Sequence, residues 1–388
     1  MLIVADENIP LLDSFFSDFG DIRRVSGREL SPDQVRDADV LLVRSVTRVN
    51  RDLLEGSRVR FVGTTTIGTD HIDQFWLESQ GIHFCAAPGC NANSVVEYVL
   101  AVASLHASRR GLSNWARQSV GIVGAGNVGG LLAQRLERLG FTVVLCDPPR
   151  QQAQFDGLDE PSATEFSSLE RALECDLVTL HTPLTRDGEH PTYHLLGAQE
   201  LATLRSDQLL INSGRGEVID NAALLARLQQ PDAPTLVLDV WENEPKIDPQ
   251  LLQQVWLGTP HIAGYSLEGK VHGTETIYRA LSRFLGLPVR KQAGQYLPQP
   301  PLSKLAFTSS AGDDAVQLAL HNCYDPRRDD ARLRLSMTGD EQQRAQAFDR
   351  LRKEYPVRRE CSSLKIQLKG SSKSMGEQFR SLGFKVNI

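Results

Sequence analysis

Ser119-Val120-Gly121-Ile122-Val123-Gly124-Ala125-Gly126-Asn127-Val128-Gly129 is the stretch whose reading decides the fold of this chain. Ser119–Val123 reads as a buried strand that runs into a GxGxxG turn, and a helical pattern follows with apolar Val128, Leu132, Leu136 and Leu139. A second strand, Phe141 to Cys146, delivers Asp147. A glycine turn between a strand and a helix, followed by an acid at the end of the next strand, is a dinucleotide-binding arrangement. Gly124 permits the tight turn, Gly126 lets backbone approach a pyrophosphate, and Gly129 lets helix pack on sheet. The helix N-terminus turns unpaired N–H groups toward the phosphates. Asp147 accepts hydrogen bonds from an adenosine ribose and repels a 2′-phosphate, which favours NAD over NADP. The unit begins more than a hundred residues into the chain, so a folded segment is expected before it.

The 388 residues suffice for two or three domains. Hydrophobic content of 41% and charged content of 23% are ordinary for a soluble globular protein. Asp6 and Glu7 interrupt the apolar Leu2–Ala5, against a signal peptide, and Glu97 breaks the apolar run Val95–Leu105, against a membrane span. Six scattered cysteines without a C-x-x-C pair suit free thiols in a reducing cytoplasm, and no metal-ligand spacing is present. The net charge of −6 is uneven: residues 287–388 hold 18 Lys+Arg against 11 Asp+Glu. Acidic residues interleave throughout that basic tail and no aromatic reading surface accompanies it. A subunit contact or a share in an anionic-substrate site is therefore expected rather than nucleic-acid binding.

Before residue 90, apolar runs alternate with helical stretches. Strands are expected at Leu2–Ala5, Val40–Val43, Phe61–Thr65 and His83–Ala86, with helices near Leu11–Phe19, Pro32–Asp37 and His71–Gln80. That alternation implies a parallel sheet with crossover helices. Asn91–Ser94 reads as a loop and cap before a long helix to about Arg109. After Asp147, strands are expected at Leu177–Leu180, Leu209–Ile211 and Leu236–Val240, with Asp220 capping a helix to about Gln229. A helix over Leu267–Leu285 could return the chain to the first domain. A Pro-rich linker ends at Pro301, followed by helices near Asp313–Asn322 and Asp340–Glu354 and strands at Ser363–Leu368 and Phe384–Ile388. The expected fold is thus α/β. It has two Rossmann-like or flavodoxin-like parallel-sheet domains, 1–93 plus 267–286 and 94–266, and a C-terminal α+β domain over 287–388.

Three strand-end loops carry residues suited to one reaction. Asn212-Ser213-Gly214-Arg215-Gly216 makes a tight turn that aims a guanidinium, able to hold a carboxylate in a fork and polarise a carbonyl beside it. Asp239-Val240-Trp241-Glu242-Asn243-Glu244-Pro245 offers acids, and Thr259-Pro260-His261-Ile262-Ala263-Gly264-Tyr265 offers an imidazole. In an α/β sheet such loops surround the ligand crevice. Imidazole, with an ordinary pKa of about 6.5, is a suitable base for an alcohol proton. A carboxylate on its other nitrogen would fix the tautomer and stabilise the imidazolium.

With Gly124–Gly129, Arg215, Glu244 and His261 at intervals of 29 and 17 residues between the last three, the chain resembles the D-isomer-specific 2-hydroxyacid dehydrogenase family over roughly residues 1–286. Three further segments, together with the tail of about a hundred residues, narrow the resemblance to one branch of that family. They are Met1–Pro10, Cys146-Asp147-Pro148-Pro149-Arg150 and His261-Ile262-Ala263-Gly264-Tyr265-Ser266. The resemblance implies oxidation of 4-phospho-D-erythronate at C2 with NAD, a step of vitamin B6 synthesis, with Arg215, Glu244 and His261 catalytic. It implies an NAD site of Gly124, Gly126, Asn127, Val128, Gly129, Asp147, Thr182, Ser213, Gly214, Arg215, Asp239 and Gly264. It also implies a substrate site of Ser45, Thr66 and Tyr265, no metal, and a homodimer formed through residues 287–388. Arg44, Arg48 or a basic residue of a partner's tail would meet the substrate phosphate.

Rival readings are a dehydrogenase of another D-2-hydroxyacid, such as 3-phosphoglycerate, and an NAD-sensing binding protein on the same scaffold. His83, His106, His272 and His321 read as surface or core residues. His181 could support structure or approach the nicotinamide end. Glu242 competes with Glu244, and the 17-residue interval selects Glu244. Arg44 also reads as a salt-bridged residue at a strand end.

Overall fold

The computed structural model describes residues 1–112, 114–156, 165–308, 313–370 and 373–387. It falls into two compact units, Met1–Ala92 with Tyr265–Gln299, and Asn93–Gly264 with Pro300–Ile388. The sheets are parallel and carry crossover helices, the α/β class expected from the alternating pattern.

In the first unit, β1 (Leu2–Asp6), β2 (Asp21–Val25), β3 (Val40–Val43), β4 (Phe61–Thr64) and β5 (His83–Cys85) form a sheet in the order β2-β1-β3-β4-β5. The inner strands are apolar because both faces are covered. Val40–Val43 is buried throughout, whereas β2 reads Asp-Ile-Arg-Arg-Val and lies at the edge. No strand was expected there, since an edge strand exposed to water need not be apolar. The helix Leu267–Phe284 joins this unit through Val271, Ile277, Tyr278 and Leu281, all buried, and Tyr278 packs its ring 5.4 Å from that of Phe15. Ser266 Oγ caps the helix by accepting Gly269 N–H at 2.8 Å.

The second unit holds β6 (Ser119–Val123), β7 (Thr142–Cys146), β8 (Leu177–Leu180), β9 (Leu209–Asn212), β10 (Thr235–Leu238) and β11 (Leu257–Gly258), ordered β11-β10-β9-β8-β6-β7. The chain leaves β6 toward β7 and then crosses to β8 on the other side. The topological switch, where such sheets bind ligands, lies at the carboxyl ends of β6 and β8. The helix Asn127–Leu139 buries Leu132, Ala133, Leu136 and Leu139, its expected apolar face, and ends in Gly140 at φ 95°. Asp220 caps the helix Asn221–Leu228 by accepting the N–H groups of Ala222 and Ala223.

One cap reading is corrected. The long helix is Ala92–Arg109, so Asn93 and Ser94 lie inside it, and their side chains bond Glu360. The chain from Pro300 adds β12 (Lys304–Thr308), β13 (Lys365–Lys369) and β14 (Lys385–Asn387) as a separate parallel sheet. Of the strand expected over Phe384–Ile388, Ile388 lies outside the described residues. The helices Pro326–Ser336 and Glu341–Lys353 contribute Leu333 and Phe348 to the core that contains Trp241, Ile247 and Leu251.

Candidate active site

Six segments follow the carboxyl ends of β6, β7, β8, β9, β10 and β11, and each brings one part of the candidate site. After β6, Gly124 stands at φ 92°, the left-handed region open to glycine, and its N–H bonds Cys146 O at 2.8 Å. A Cβ on Gly129 would lie 1.9 Å from Gly124 O, so that glycine is required by the close approach of helix to turn. Gly126 is different: a Cβ there would meet nothing within 4 Å among the described residues beyond its own turn. It is exposed, as is Asn127, while Val128 is half-buried. Gly126 is also the N-cap of its helix and offers no side-chain cap, so the first-turn N–H groups are left for a ligand.

Asp147, at the end of β7, accepts Ala125 N–H at 2.8 Å and Arg150 N–H at 3.1 Å. Arg150 Nη1 donates to Ala125 O at 2.8 Å. The acid thereby stands against the glycine turn. Thr182 follows β8 and Ser213 follows β9; the hydroxyls of both are buried and find no partner among the described residues. A buried unpaired hydroxyl is costly unless a ligand supplies its bond. With the open N-terminus at Gly126, these two groups fit a bound dinucleotide. His181, beside Thr182, meets Thr179 Oγ1 through Nε2 at 2.9 Å, and burial drives its pKa down to about 3.

Arg215 is shaped by its own turn. Asn212 Nδ2 donates to Arg215 O at 2.8 Å, Asn212 Oδ1 accepts Gly214 N–H, and Arg215 Nη1 donates to Gly214 O. The next residue, Gly216, lies against the following loop so closely that a Cβ would be 2.0 Å from the carbonyl carbon of Trp241. The Arg215 turn and the Glu244 loop are thus in backbone contact.

Glu244 and His261 are brought together. Glu244 Oε2 lies 2.7 Å from His261 Nδ1, and Glu244 Oε1 accepts Trp241 N–H at 2.8 Å. Burial pushes the Glu244 carboxyl up, but the His261 charge and hydrogen bond, with Arg352 and the Trp241 N–H, outweigh it and leave the pKa lowered. Glu244 is therefore an anion, and His261 Nδ1 is the nitrogen that carries a proton toward it. The opposite nitrogen, Nε2, is then the one able to accept a proton. The pair is partly open to solvent, His261 at 34% and Glu244 at 19%.

Asp239, expected to line the cofactor site, is 1% exposed. Its Oδ1 accepts Thr259 Oγ1–H at 2.6 Å and Ile262 N–H at 2.8 Å, and its Oδ2 accepts Ala263 N–H at 2.9 Å. Burial raises its pKa against these bonds and the His261 charge. It fixes the loop that carries His261. Gly264 ends that loop, half-buried. Glu242, the rival acid, bonds His194 Nε2 at 2.8 Å and accepts Asn221 N–H at 3.2 Å, a fastening of the loop rather than a partner of His261.

In the first unit, Ser45 is exposed just beyond β3 and Thr66 lies just beyond β4, at the carboxyl ends of neighbouring strands. Thr66 Oγ1 is 2.7 Å from Thr64 Oγ1, which also meets His71 Nε2 at 3.1 Å. Arg44 lies 4.0 Å from Asp6, which realises the salt-bridge reading. Tyr265 is half-buried with Lys270 Nζ 4.3 Å from its ring centre. Sequence reasoning missed His194 and Arg358, which bonds the loop beyond His261; neither belongs to a motif.

Residues 101–263 match the family described as D-isomer specific 2-hydroxyacid dehydrogenase, NAD binding domain, and residues 296–383 match a domain of unknown function, DUF3410. The erythronate-4-phosphate dehydrogenase of Marinobacter nauticus is 72% identical over 389 residues, covering 100% of both chains. That of Hahella chejuensis is 50% identical, also over 100% of both. Among solved structures, TT0316 of Thermus thermophilus has a TM-score of 0.61 at 23% identity, over 75% of this chain and 99% of its own. The NAD-bound 3-phosphoglycerate dehydrogenase of Entamoeba histolytica has a TM-score of 0.59 at 20% identity, over 75% and 98%, and these two likenesses concern the fold. On the strength of relatives this similar along their whole length, the chain belongs to the erythronate-4-phosphate dehydrogenase family, an NAD-dependent group of D-isomer-specific 2-hydroxyacid dehydrogenases.

Proposed function

We propose that this chain oxidises 4-phospho-D-erythronate at C2 to 2-oxo-3-hydroxy-4-phosphobutanoate, in the synthesis of pyridoxal 5′-phosphate. The carrying observation is the 2.7 Å Glu244–His261 pair on an NAD-binding domain, in a chain 72% identical to an erythronate-4-phosphate dehydrogenase. NAD, when bound, takes the hydride from C2. His261 Nε2 takes the hydroxyl proton, and the Glu244 carboxylate stabilises the imidazolium that results. Arg215 holds the substrate carboxylate and the oxygen that becomes a carbonyl. The alcohol loses one hydride and one proton, so the products are the 2-oxo acid, NADH and a proton.

In this reading Gly124, Gly126, Asn127, Val128, Gly129, Asp147, Thr182, Ser213, Gly214 and Gly264 line the NAD site, with Asp239 beneath it. Ser45, Thr66 and Tyr265 bind substrate, and Arg44 or Arg48 meets its phosphate. Residues 1–93 with 267–286 form the substrate-binding lid, 94–266 the NAD domain, and 287–388 a domain that pairs two copies. The reading places the enzyme in the cytoplasm, which six cysteines without disulfides suit; among the described residues no helix is long and apolar enough to cross a membrane.

The decisive assay compares turnover of 4-phospho-D-erythronate and 3-phospho-D-glycerate by purified protein whose bound cofactor has been identified. A strong preference for the four-carbon acid is expected. Preference for 3-phosphoglycerate would overturn the substrate, and absence of hydride transfer to either would favour a binding role. Sedimentation should give a dimer; a monomer at working concentration would remove residues 287–388 from pairing.

A further inference from the structure

We propose that Arg358 is a positioning residue for the loop bearing His261, so that the C-terminal segment helps to build the active site. The inference rests on His261 and Glu244 carrying the proton, and it adds a task to a segment expected to pair subunits or to share in an anionic-substrate site.

The loop needs external support. His261 stands at φ 56°, a left-handed conformation that a bulky L residue adopts only when its surroundings enforce it. Three backbone donors on one side are taken by Asp239: its carbonyl accepts His261 N–H at 2.7 Å and its carboxylate accepts Ile262 and Ala263 N–H. The carbonyl that follows, Ala263 O, accepts Arg358 Nη1–H at 3.0 Å. An anion and a cation thus grip the amide and carbonyl groups of one short segment.

The Arg358 side chain is itself fixed. Nη2 donates to Ser94 O at 2.8 Å, in the first turn of the helix Ala92–Arg109, and the guanidinium lies 3.7 Å from the Tyr324 ring centre. Arg358 is only 5% exposed, and its Nε makes no hydrogen bond among the described residues. Packing alone would be met by an apolar side chain of similar length. Burying a full charge to bond two main-chain carbonyls is costly, and the fork geometry of guanidinium is what allows one group to span both.

Other side chains of the same segment hold the chain before His261. Asp330 accepts Gly258 N–H at 2.8 Å, while Arg334 donates to Leu252 O at 2.7 Å and Val255 O at 2.9 Å. The polypeptide is therefore fastened on both sides of His261, at 252–258 and at 263. A general base must stay within hydrogen-bond reach of its proton, and small displacements are expensive in rate.

The test uses full-length Arg358→Met and Arg358→Lys. Met keeps length without a donor; Lys keeps the charge but cannot span both carbonyls. Turnover of Arg358→Met should fall by about 10- to 100-fold, the cost of misplacing a catalytic group by about 1 Å. Arg358→Lys should recover part of it. The KM for NAD should change less than kcat, because the glycine turn is untouched even though Gly264 follows Ala263. The acid limb of the pH–kcat profile should move, which a general loss of folded protein would not produce. If Arg358→Met does not fold, Arg358→Lys decides. Unchanged kcat and pH profile in folded variants would overturn the proposal, as would a loss equal to the unfolded fraction. His261→Asn is measured alongside. Full activity there would remove the underlying assignment, whereas an inactive His261→Asn with unaffected Arg358 variants would sink the positioning role alone.

Discussion

Glu244 spans two partners, His261 Nδ1 at 2.7 Å and Trp241 N–H at 2.8 Å, and so ties the orientation of an imidazole to the backbone of its own loop. Glu244→Gln keeps an oxygen for one of these donors, turns an NH2 toward the other, and removes the charge. Turnover should fall by about 100-fold, the low end of the range for a positioned acid–base group. The pH dependence of oxidation should also change, since the lowered, ionised carboxyl that pairs with the imidazole is gone. A pH series of kcat from 5 to 9 reads both, and a profile superimposable on the parent's would remove Glu244 from proton transfer.

His261→Asn should isolate the imidazole's chemistry from the loop's geometry. Asn tolerates the left-handed conformation at φ 56° better than most residues, so the backbone bonds to Asp239 should persist. NAD binding, followed by fluorescence quenching, should remain near the parent's while turnover is lost. Loss of NAD binding would mean that the substitution had disturbed the loop.

Asp147 meets the glycine turn through Ala125 N–H at 2.8 Å and caps the following helix at Arg150 N–H. Asp147→Asn retains an acceptor oxygen for one of those bonds and removes the repulsion of a 2′-phosphate. The ratio of kcat/KM for NAD to that for NADP should drop at least about tenfold, the size of one charged hydrogen bond. An unchanged ratio would show that another group reads the ribose.

The parts of this protein that show in the sequence are those with a short-range physical signature. The GxGxxG turn, the buried strands and the Asp220 cap are each specified by neighbours a few residues away. The 29- and 17-residue intervals chose Glu244 over Glu242, and Glu242 turns out to bond His194 instead. Strand β2 was not legible because an exposed edge carries no apolar run. Asn93 and Ser94 look like cap residues but bond Glu360, more than 260 positions away. Arg358 is one of many arginines in a basic tail, and only the fold brings it to Ala263 O.

Glu97 should make stability depend on pH. Burial, with the Glu360 charge adding and Arg358 opposing, raises its pKa to about 8. Between about 4.3, the ordinary glutamate value, and that raised value, the folded protein holds a proton that the unfolded chain has released. Stability from this group is therefore complete below the lower value, declines as pH rises through the window and levels off above it. Glu97→Gln still offers an oxygen to Cys361 N–H. Relative to the parent it should be progressively more stable from pH 5 to 8, by up to about 1.4 kcal/mol per pH unit. Urea unfolding at pH 5, 6.5 and 8 measures this; a constant difference between the two proteins would refute the buried neutral acid.

Three glycines in two loops should respond to alanine in three ways. At Gly129 the new Cβ would lie 1.9 Å from Gly124 O, so the turn and its helix must separate, and folding should fail or lose several kcal/mol. At Gly216 it would lie 2.0 Å from the Trp241 carbonyl carbon and 2.5 Å from Glu242 N, displacing the Arg215 turn from the Glu244 loop. Gly216→Ala should therefore lower kcat more than it weakens NAD binding. At Gly126 the Cβ meets nothing within 4 Å among the described residues beyond its own turn, and φ is −72°, outside the left-handed region that favours glycine. Gly126→Ala should keep its stability within about 1 kcal/mol, the scale of an N-cap change. It should nevertheless bind NAD far more weakly, because the added methyl stands where backbone must approach the pyrophosphate. Thermal unfolding without cofactor, paired with NAD titration, separates the cases. A Gly126→Ala protein that binds NAD like the parent would show that the open side of the turn is not where the phosphates lie.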